Sequence, residues 1–147
     1  MAFVRDLLTG RSVLSVDEAS TVLDAARIMT ENTIGALLVT SGDSLAGIFT
    51  ERDLMTRVLV PGLDPRTTPL TQVMTRDVYS ASPEDKVTDV RAELRQRHIR
   101  HVPVLDGEEI LGMLSLRDIL RADLREKAAE VETMTKYIQR DELGGIG

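Results

Sequence analysis

The sequence predicts an α/β fold: two similar β-α-β-β-α units packed sheet to sheet about a pseudo-twofold axis, followed by a C-terminal helix. Three observations predict it. The first is an internal repeat. Shifted by 65 positions, residues 11–59 fall on 76–124 without a gap, with identities that include Val13/Val78, Ser15/Ser80, Val22/Val87, Asp24/Asp89, Ile34/Ile99, Val39/Val104, Gly42/Gly107 and Gly47/Gly112. Self-similarity at a fixed spacing marks a duplicated structural unit. The second is a recurring corner: Gly47-Ile48-Phe49-Thr50-Glu51-Arg52-Asp53 returns as Gly112-Met113-Leu114-Ser115-Leu116-Arg117-Asp118. The third is the order of patterns within each copy, a helical periodicity and then two apolar runs joined by a turn.

In the first copy, Ser12–Val16 reads as a short extended piece. Val22, Ala25, Ala26 and Met29 follow i, i+3, i+4, i+7 and predict an amphipathic helix over 21–32. Ala36-Leu37-Leu38-Val39 is a continuous apolar run, short enough for a strand covered on both faces. Ser41-Gly42-Asp43-Ser44 is a turn, and 45–49 is the returning strand of a hairpin. A second helix is expected over 51–60 with Leu54, Val58 and Leu59 inward. Three prolines and a glycine between 61 and 69 deny regular structure to the linker, and 70–74 reads as a short helical turn. The second copy repeats the course: 78–80 extended, a helix opened by Ser82-Pro83-Glu84-Asp85 with Val87, Val90 and Leu94 buried, and strands over 101–105 and 110–114. The last helix starts near Ser115, carries Leu116, Leu120, Leu124, Val131, Met134 and Ile138 on one face, and ends near Gly144-Gly145. A break is expected near 127–130. The stripe has two candidate covers, a partner chain or the helix's own domain. The boundaries are 7–60 for the first repeat, 61–70 for the linker, 71–124 for the second repeat and 125–147 for the extension.

Composition narrows the function classes. The chain has 147 residues, 42% of them apolar but only 3% aromatic, so its core is aliphatic. It contains no cysteine, which excludes disulfides, thiolate metal sites and cysteine nucleophiles. A net charge of −6 argues against nucleic acid and anionic membrane surfaces as partners. The N-terminus lacks a signal-peptide pattern, and no apolar stretch reaches membrane-span length, so a soluble cytoplasmic protein is expected. No phosphate-loop or dinucleotide glycine motif is present, and neither histidine has an obvious carboxylate to orient it, so no enzyme activity and no catalytic residue is expected. His98 and His101 are three residues apart, but one ends a helix and the other begins a strand. No metal site is expected.

The recurring corner carries the chemistry. Its hydroxyl (Thr50, Ser115) stands at an N-cap position with an aspartate (Asp53, Asp118) three residues on, the spacing of a capping box. One reading is a helix cap worth about 1 kcal/mol. The other is a binding corner, in which the helix N-terminus and hydroxyl hold phosphate while the carboxylate accepts from a ribose diol. Duplication favours the second reading, because two units packed about a twofold bring equivalent corners to one cleft.

From Ile34-Gly35-Ala36-Leu37-Leu38-Val39 and the corner 47–53 in one copy, and Ile99-Arg100-His101-Val102-Pro103-Val104 and the corner 112–118 in the other, residues 7–124 closely resemble a tandem pair of cystathionine-β-synthase (CBS) domains. Residues 133–141 also look like the tail of small bacterial stand-alone pairs. The resemblance implies a regulatory module that binds an adenosine-containing ligand: AMP, ADP or ATP first, with NADH and S-adenosylmethionine as further candidates. It implies that Asp53 and Asp118 hold ribose hydroxyls and that Thr50 and Ser115 contact ribose or phosphate. Arg52, Arg117 and Arg100 are candidates for the phosphates. The resemblance implies an adenine slot from Ser15-Val16, Ser80-Ala81, Gly35-Ala36-Leu37 and Arg100-His101-Val102. It also implies a homodimer and a regulated partner protein. The alternatives are a ligand-independent dimerising adaptor and an enzyme. Because Gly35-Ala36 in one copy stands opposite Arg100-His101 in the other, the two sites are expected to differ.

Overall fold

The structure is a computed structural model that describes residues 2–8, 10 and 13–144, with side chains as far as 139. In chain order the elements are α1 (Val4–Leu7), β1 (Ser15–Asp17), α2 (Val22–Asn32), β2 (Ala36–Ser41), β3 (Ser44–Thr50), α3 (Glu51–Asp53, continuing as a π-helix over Leu54–Leu59), α4 (Leu70–Val73), α5 (Val87–Arg97), β4 (His101–Asp106), β5 (Glu109–Ser115) and α6 (Leu116–Gly144). Among the described residues, no helix is long and apolar enough to cross a membrane.

The repeat is exact at the level of strand register. β2 and β3 are antiparallel with Ala36 opposite Thr50 and a bulge between Val39 and Thr40. β4 and β5 are antiparallel with His101 opposite Ser115 and a bulge between Val104 and Leu105. Each of these positions maps onto its counterpart by the shift of 65. The helices that precede the hairpins end alike: Thr33 and His98 both adopt left-handed backbone, at φ 54° and 55°, a conformation that terminates a helix and that few non-glycine residues accept. The two sheets meet through β3 and β5.

The copies differ in their first strand. β1 runs parallel to β2 over three residues, whereas in the second copy only Ala81 pairs, with Val104. The expected opening of the second helix at Ser82-Pro83-Glu84-Asp85 is a turn instead. The Asp85 carboxylate accepts from the Ser82 amide at 2.8 Å, and the Asp85 amide donates to the Ser82 carbonyl at 3.0 Å. These bonds close the chain on itself, and the helix begins at Val87. The second helix of the first copy is α-helical only over α3. Beyond it the Val60 amide donates to Met55 and the Leu63 amide to Val58, five residues back. This wider turn keeps Val58 buried and rotates Leu59, expected inward, to 62% exposure. The break expected near 127–130 is absent: α6 is continuous for 29 residues. Gly144 ends it, and the Gly145 part of the expected cap lies outside the described residues, as does Ser12 of the first extended piece.

Each aliphatic core is closed by a segment that precedes the other copy. Core one gathers Val22, Ala25, Met29, Leu37, Val39, Phe49 and Val58 with Leu70, Val73 and Met74 from beyond the linker. Core two gathers Val87, Val90, Leu94, Val102, Val104, Leu114 and Ile119 with Val4, flanked by Leu7 and Leu8 from the N-terminal segment. Backbone bonds fix both crossings. The Val22 and Leu23 amides at the start of α2 donate to the Thr68 and Pro65 carbonyls, and the Val87 amide at the start of α5 donates to the Ala2 carbonyl. Free amides at helix starts need such partners, so the linker is pinned despite its prolines.

Gly47 lies where the first crossing touches the sheet. The Ile48 and Thr75 backbones exchange both hydrogen bonds at 2.9 Å, and a Cβ on Gly47 would stand 2.5 Å from the Thr75 carbonyl oxygen. A Cβ on its counterpart Gly112 would meet only the end of the Leu8 side chain, at 3.1 Å. Gly47→Ala is therefore expected to destabilise the protein by about 2–3 kcal/mol, and Gly112→Ala by less than about 1 kcal/mol, because a leucine terminus can move. Urea unfolding of the two variants checks the difference.

Candidate ligand-binding site

Both corners form the expected capping box. The Thr50 amide donates to Asp53 Oδ2 at 3.0 Å and the Asp53 amide to Thr50 Oγ1 at 3.1 Å. The Ser115 amide donates to Asp118 Oδ2 at 2.9 Å and the Asp118 amide to Ser115 Oγ at 3.1 Å. The backbone around them is also equivalent. The Glu51 amide donates to Gly35 at 3.0 Å, and the Leu116 amide to Arg100 at 2.7 Å.

Beyond that the corners diverge. Asp53 is 5% exposed. Its Oδ1 accepts from the Thr75 hydroxyl at 3.2 Å and faces the Arg57 guanidinium at 3.5 Å. Arg57 in turn donates to the Met74 carbonyl at 3.0 Å. Asp53 is thus the knot that ties the closing segment to the π-helical turn, and both its oxygens are engaged. The counterpart of Arg57 is Ala122, which offers no cation. Asp118 is exposed, and among the described residues its second oxygen has no hydrogen-bond partner. Arg52 donates to the His98 carbonyl at 3.2 Å, where α5 ends. Its counterpart Arg117 is exposed and, among the described residues, unpaired.

The halves meet beside His101. This half-buried ring is held below the usual histidine range, first by burial and also by Arg100. Glu51 of one corner and Asp118 of the other partly counter that shift. One side chain therefore feels both corners, and burial favours its neutral form. Gly35 packs against the corner of its own copy: a Cβ there would stand 3.3 Å from the Glu51 carboxylate.

Of the residues expected in an adenine slot, Ser15 and Arg100 are exposed, while Val16, Gly35, Ser80 and His101 are half-buried. Ala36, Leu37, Val102 and Ala81 are buried, with Leu37 in core one and Val102 and Ala81 in core two. Two open concavities, each about 570 Å³, lie elsewhere: one along α5 between Thr88 and His98, the other between α1, α5 and α6. Sequence reasoning missed Thr75 and Arg57 as partners of Asp53, and gave Glu51, within the corner, no role. Arg57 was detectable as a cation four residues after Asp53. Thr75 gave no local signal, because only the crossing brings it there.

A family model described as CBS domain matches residues 4–60 and again 70–125. The CBS domain-containing protein CBSX3, mitochondrial, of Arabidopsis thaliana is 35% identical over 124 residues, which cover 81% of this chain and 60% of that protein. The chain thus spans less than two thirds of that relative's length. A solved structure of a protein with CBS domains from Burkholderia ambifaria superposes with a TM-score of 0.81 at 31% identity, covering 84% of this chain and 95% of that one. At 24% identity the fold alone is shared with the CBS domain pair of protein MJ0100, solved in complex with 5′-methylthioadenosine and S-adenosyl-L-methionine, with a TM-score of 0.77 and coverage of 85% of this chain and 98% of that one. With two family matches that together span most of its length, the chain belongs to the CBS domain family as a tandem pair.

Proposed function

We propose that the protein is a regulatory module that binds an adenosine-containing ligand at the corner of Ser115, Arg117 and Asp118 and passes its occupancy to a partner protein. The observation that carries this reading is the exposed Asp118 carboxylate, with one oxygen unpaired among the described residues, at the start of a long helix. A ribose presents two vicinal hydroxyl donors, and an ionised carboxylate accepts from both. The Leu116 and Asp118 amides already donate to Arg100 and Ser115, so a phosphate is suited by the Arg117 amide and guanidinium, with Arg100 on the neighbouring loop. His101, its neutral form favoured by burial, suits the flat, uncharged edge of a purine, with half-buried Ser80 and Gly35 as further candidates. These features favour AMP, ADP or ATP over S-adenosylmethionine, whose sulfonium is cationic; NADH also fits a site with two arginines. The 5′-methylthioadenosine and S-adenosyl-L-methionine held by MJ0100 support adenosine as the common element.

At the other corner, Thr50, Arg52 and Asp53 are occupied by protein groups, and we assign them to holding the halves together. The working unit is a homodimer. A second reading, a ligand-independent dimerising adaptor, is favoured by one observation, the exposed apolar residues of α6, and the ligand test separates the two.

Thermal unfolding with a panel of AMP, ADP, ATP, NADH and S-adenosylmethionine, on protein stripped of carried-over nucleotide, is expected to stabilise the wild type with at least one member. A ligand at 100 times its Kd adds about 2.7 kcal/mol. Asp118→Ala is expected to lose that gain while unliganded stability falls by no more than about 1 kcal/mol. Asp53→Ala is expected to cost about 2 kcal/mol or more without ligand. An unchanged melting point with every member favours the adaptor. A second expectation concerns pH. His101 titrates below its unfolded value of about 6.5, so the folded state binds fewer protons and stability falls as pH drops through 6.5 towards the lower folded value. The slope from this one group is at most about 1.4 kcal/mol per pH unit. His101→Gln is expected to remove that component, as read from urea unfolding at pH 7.5 and 5.5.

A further inference from the structure

We propose that the outer part of α6 is the seat of a second copy of this chain, the two helices pairing along Leu120, Leu124, Val131, Met134 and Ile138. This rests on the reading that the working unit is a homodimer and names its interface. α6 is 29 residues long, about 43 Å, and its contacts with the body come from α1, α5 and β5 near its start. From Leu124 outward every described side chain is exposed. Leu124, Val131, Met134 and Ile138 are 68, 63, 64 and 56% exposed. In proteins most helical stability comes from packing of an apolar face.

The spacing identifies the occupant. Leu124, Val131 and Ile138 recur every seven residues, and Leu120 and Met134 fall on the alternate seam positions. A narrow seam of this period is what one helix presents to another along its length. A helix lying on a globular face carries a broader apolar stripe, and here Arg121, Asp123 and Glu130 flank the seam, with Arg125, Glu126, Glu132 and Lys136 on the far side. Lys127 falls at a seam position, the kind of single polar residue that fixes register between paired helices. Covering six residues, Tyr137 included, at roughly 100 Å² each removes on the order of 1,200 Å² from two chains, the lower bound for a specific stable interface. A self-association of moderate strength follows.

Sedimentation of the full chain is expected to give a dimer at about 100 µM. Val131→Glu/Ile138→Glu is expected to weaken it at least about 100-fold while leaving the thermal unfolding of the body in place, since both side chains are exposed. With no cysteine in the sequence, Val131→Cys gives a background-free reading: it is expected to form a covalent dimer under mild oxidation, and Met55→Cys, exposed on another helix, is not. A dimer that survives Val131→Glu/Ile138→Glu but is dispersed by Met55→Glu/Leu59→Glu overturns the α6 interface and leaves the homodimer reading standing. A wild type that is monomeric at the same concentration overturns both.

Discussion

The short segments that lead into each repeat cross over and complete the core of the other half, and the rest of the molecule is arranged around that crossing. Leu70, Val73 and Met74 close the first aliphatic core, and Val4, with Leu7 and Leu8, closes the second. A unit of about fifty residues with two or three strands buries too little apolar surface to stand alone. Exchange makes the stability of each half depend on the other. It also satisfies the free amides at the starts of α2 and α5, which donate to carbonyls of the crossing segments. The linker prolines define the path of the crossing and leave its carbonyls available as acceptors.

The same crossing separates two corners that began as copies. Where the first segment passes over β3, Thr75 delivers its hydroxyl to Asp53, and Arg57 joins that carboxylate to the Met74 carbonyl. A carboxylate with both oxygens engaged and 5% exposure is a structural fastening. The second corner has Ala122 in place of Arg57, and Asp118 remains exposed with an oxygen to spare. Thr75 on the crossing and Arg57 against Ala122 thus make one copy of the motif a fastening and leave the other open. The corners stay in communication, because Arg52 reaches the end of α5 and His101 lies between Glu51 and Asp118. The helix whose first turn carries Asp118 is also the one that projects furthest from the body.

Much of the fold was legible from the sequence because duplication doubles every signal. The hairpins, the helices over 22–32 and 87–97, and both capping boxes follow from periodicity and spacing alone. Where local pattern misled, a competing bond was responsible. Ser82 and Asp85 spend their polar groups on a turn, so the helix starts later than Pro83 suggested. The π-helical turn moves Leu59 outward, a shift of one residue that an apolar periodicity cannot register. The inequality of the corners was visible only in outline, as unlike residues at 35–36 and 100–101. Its cause lies in Thr75, which is 22 residues from Asp53 in sequence and comes to it only through the tertiary crossing. Likewise, Leu37 and Val102 stand opposite corner residues Phe49 and Leu114 in strand register but belong to the cores.

The claim on which this account turns is that one corner is consumed by the fold and the other is left open. Calorimetric titration of stripped wild-type protein, with the adenosine ligand that raises its melting point most, counts the receptive corners directly. One molecule bound per chain is the predicted result. Two equivalent molecules per chain would mean that Asp53 is as free as Asp118, and would contradict the account.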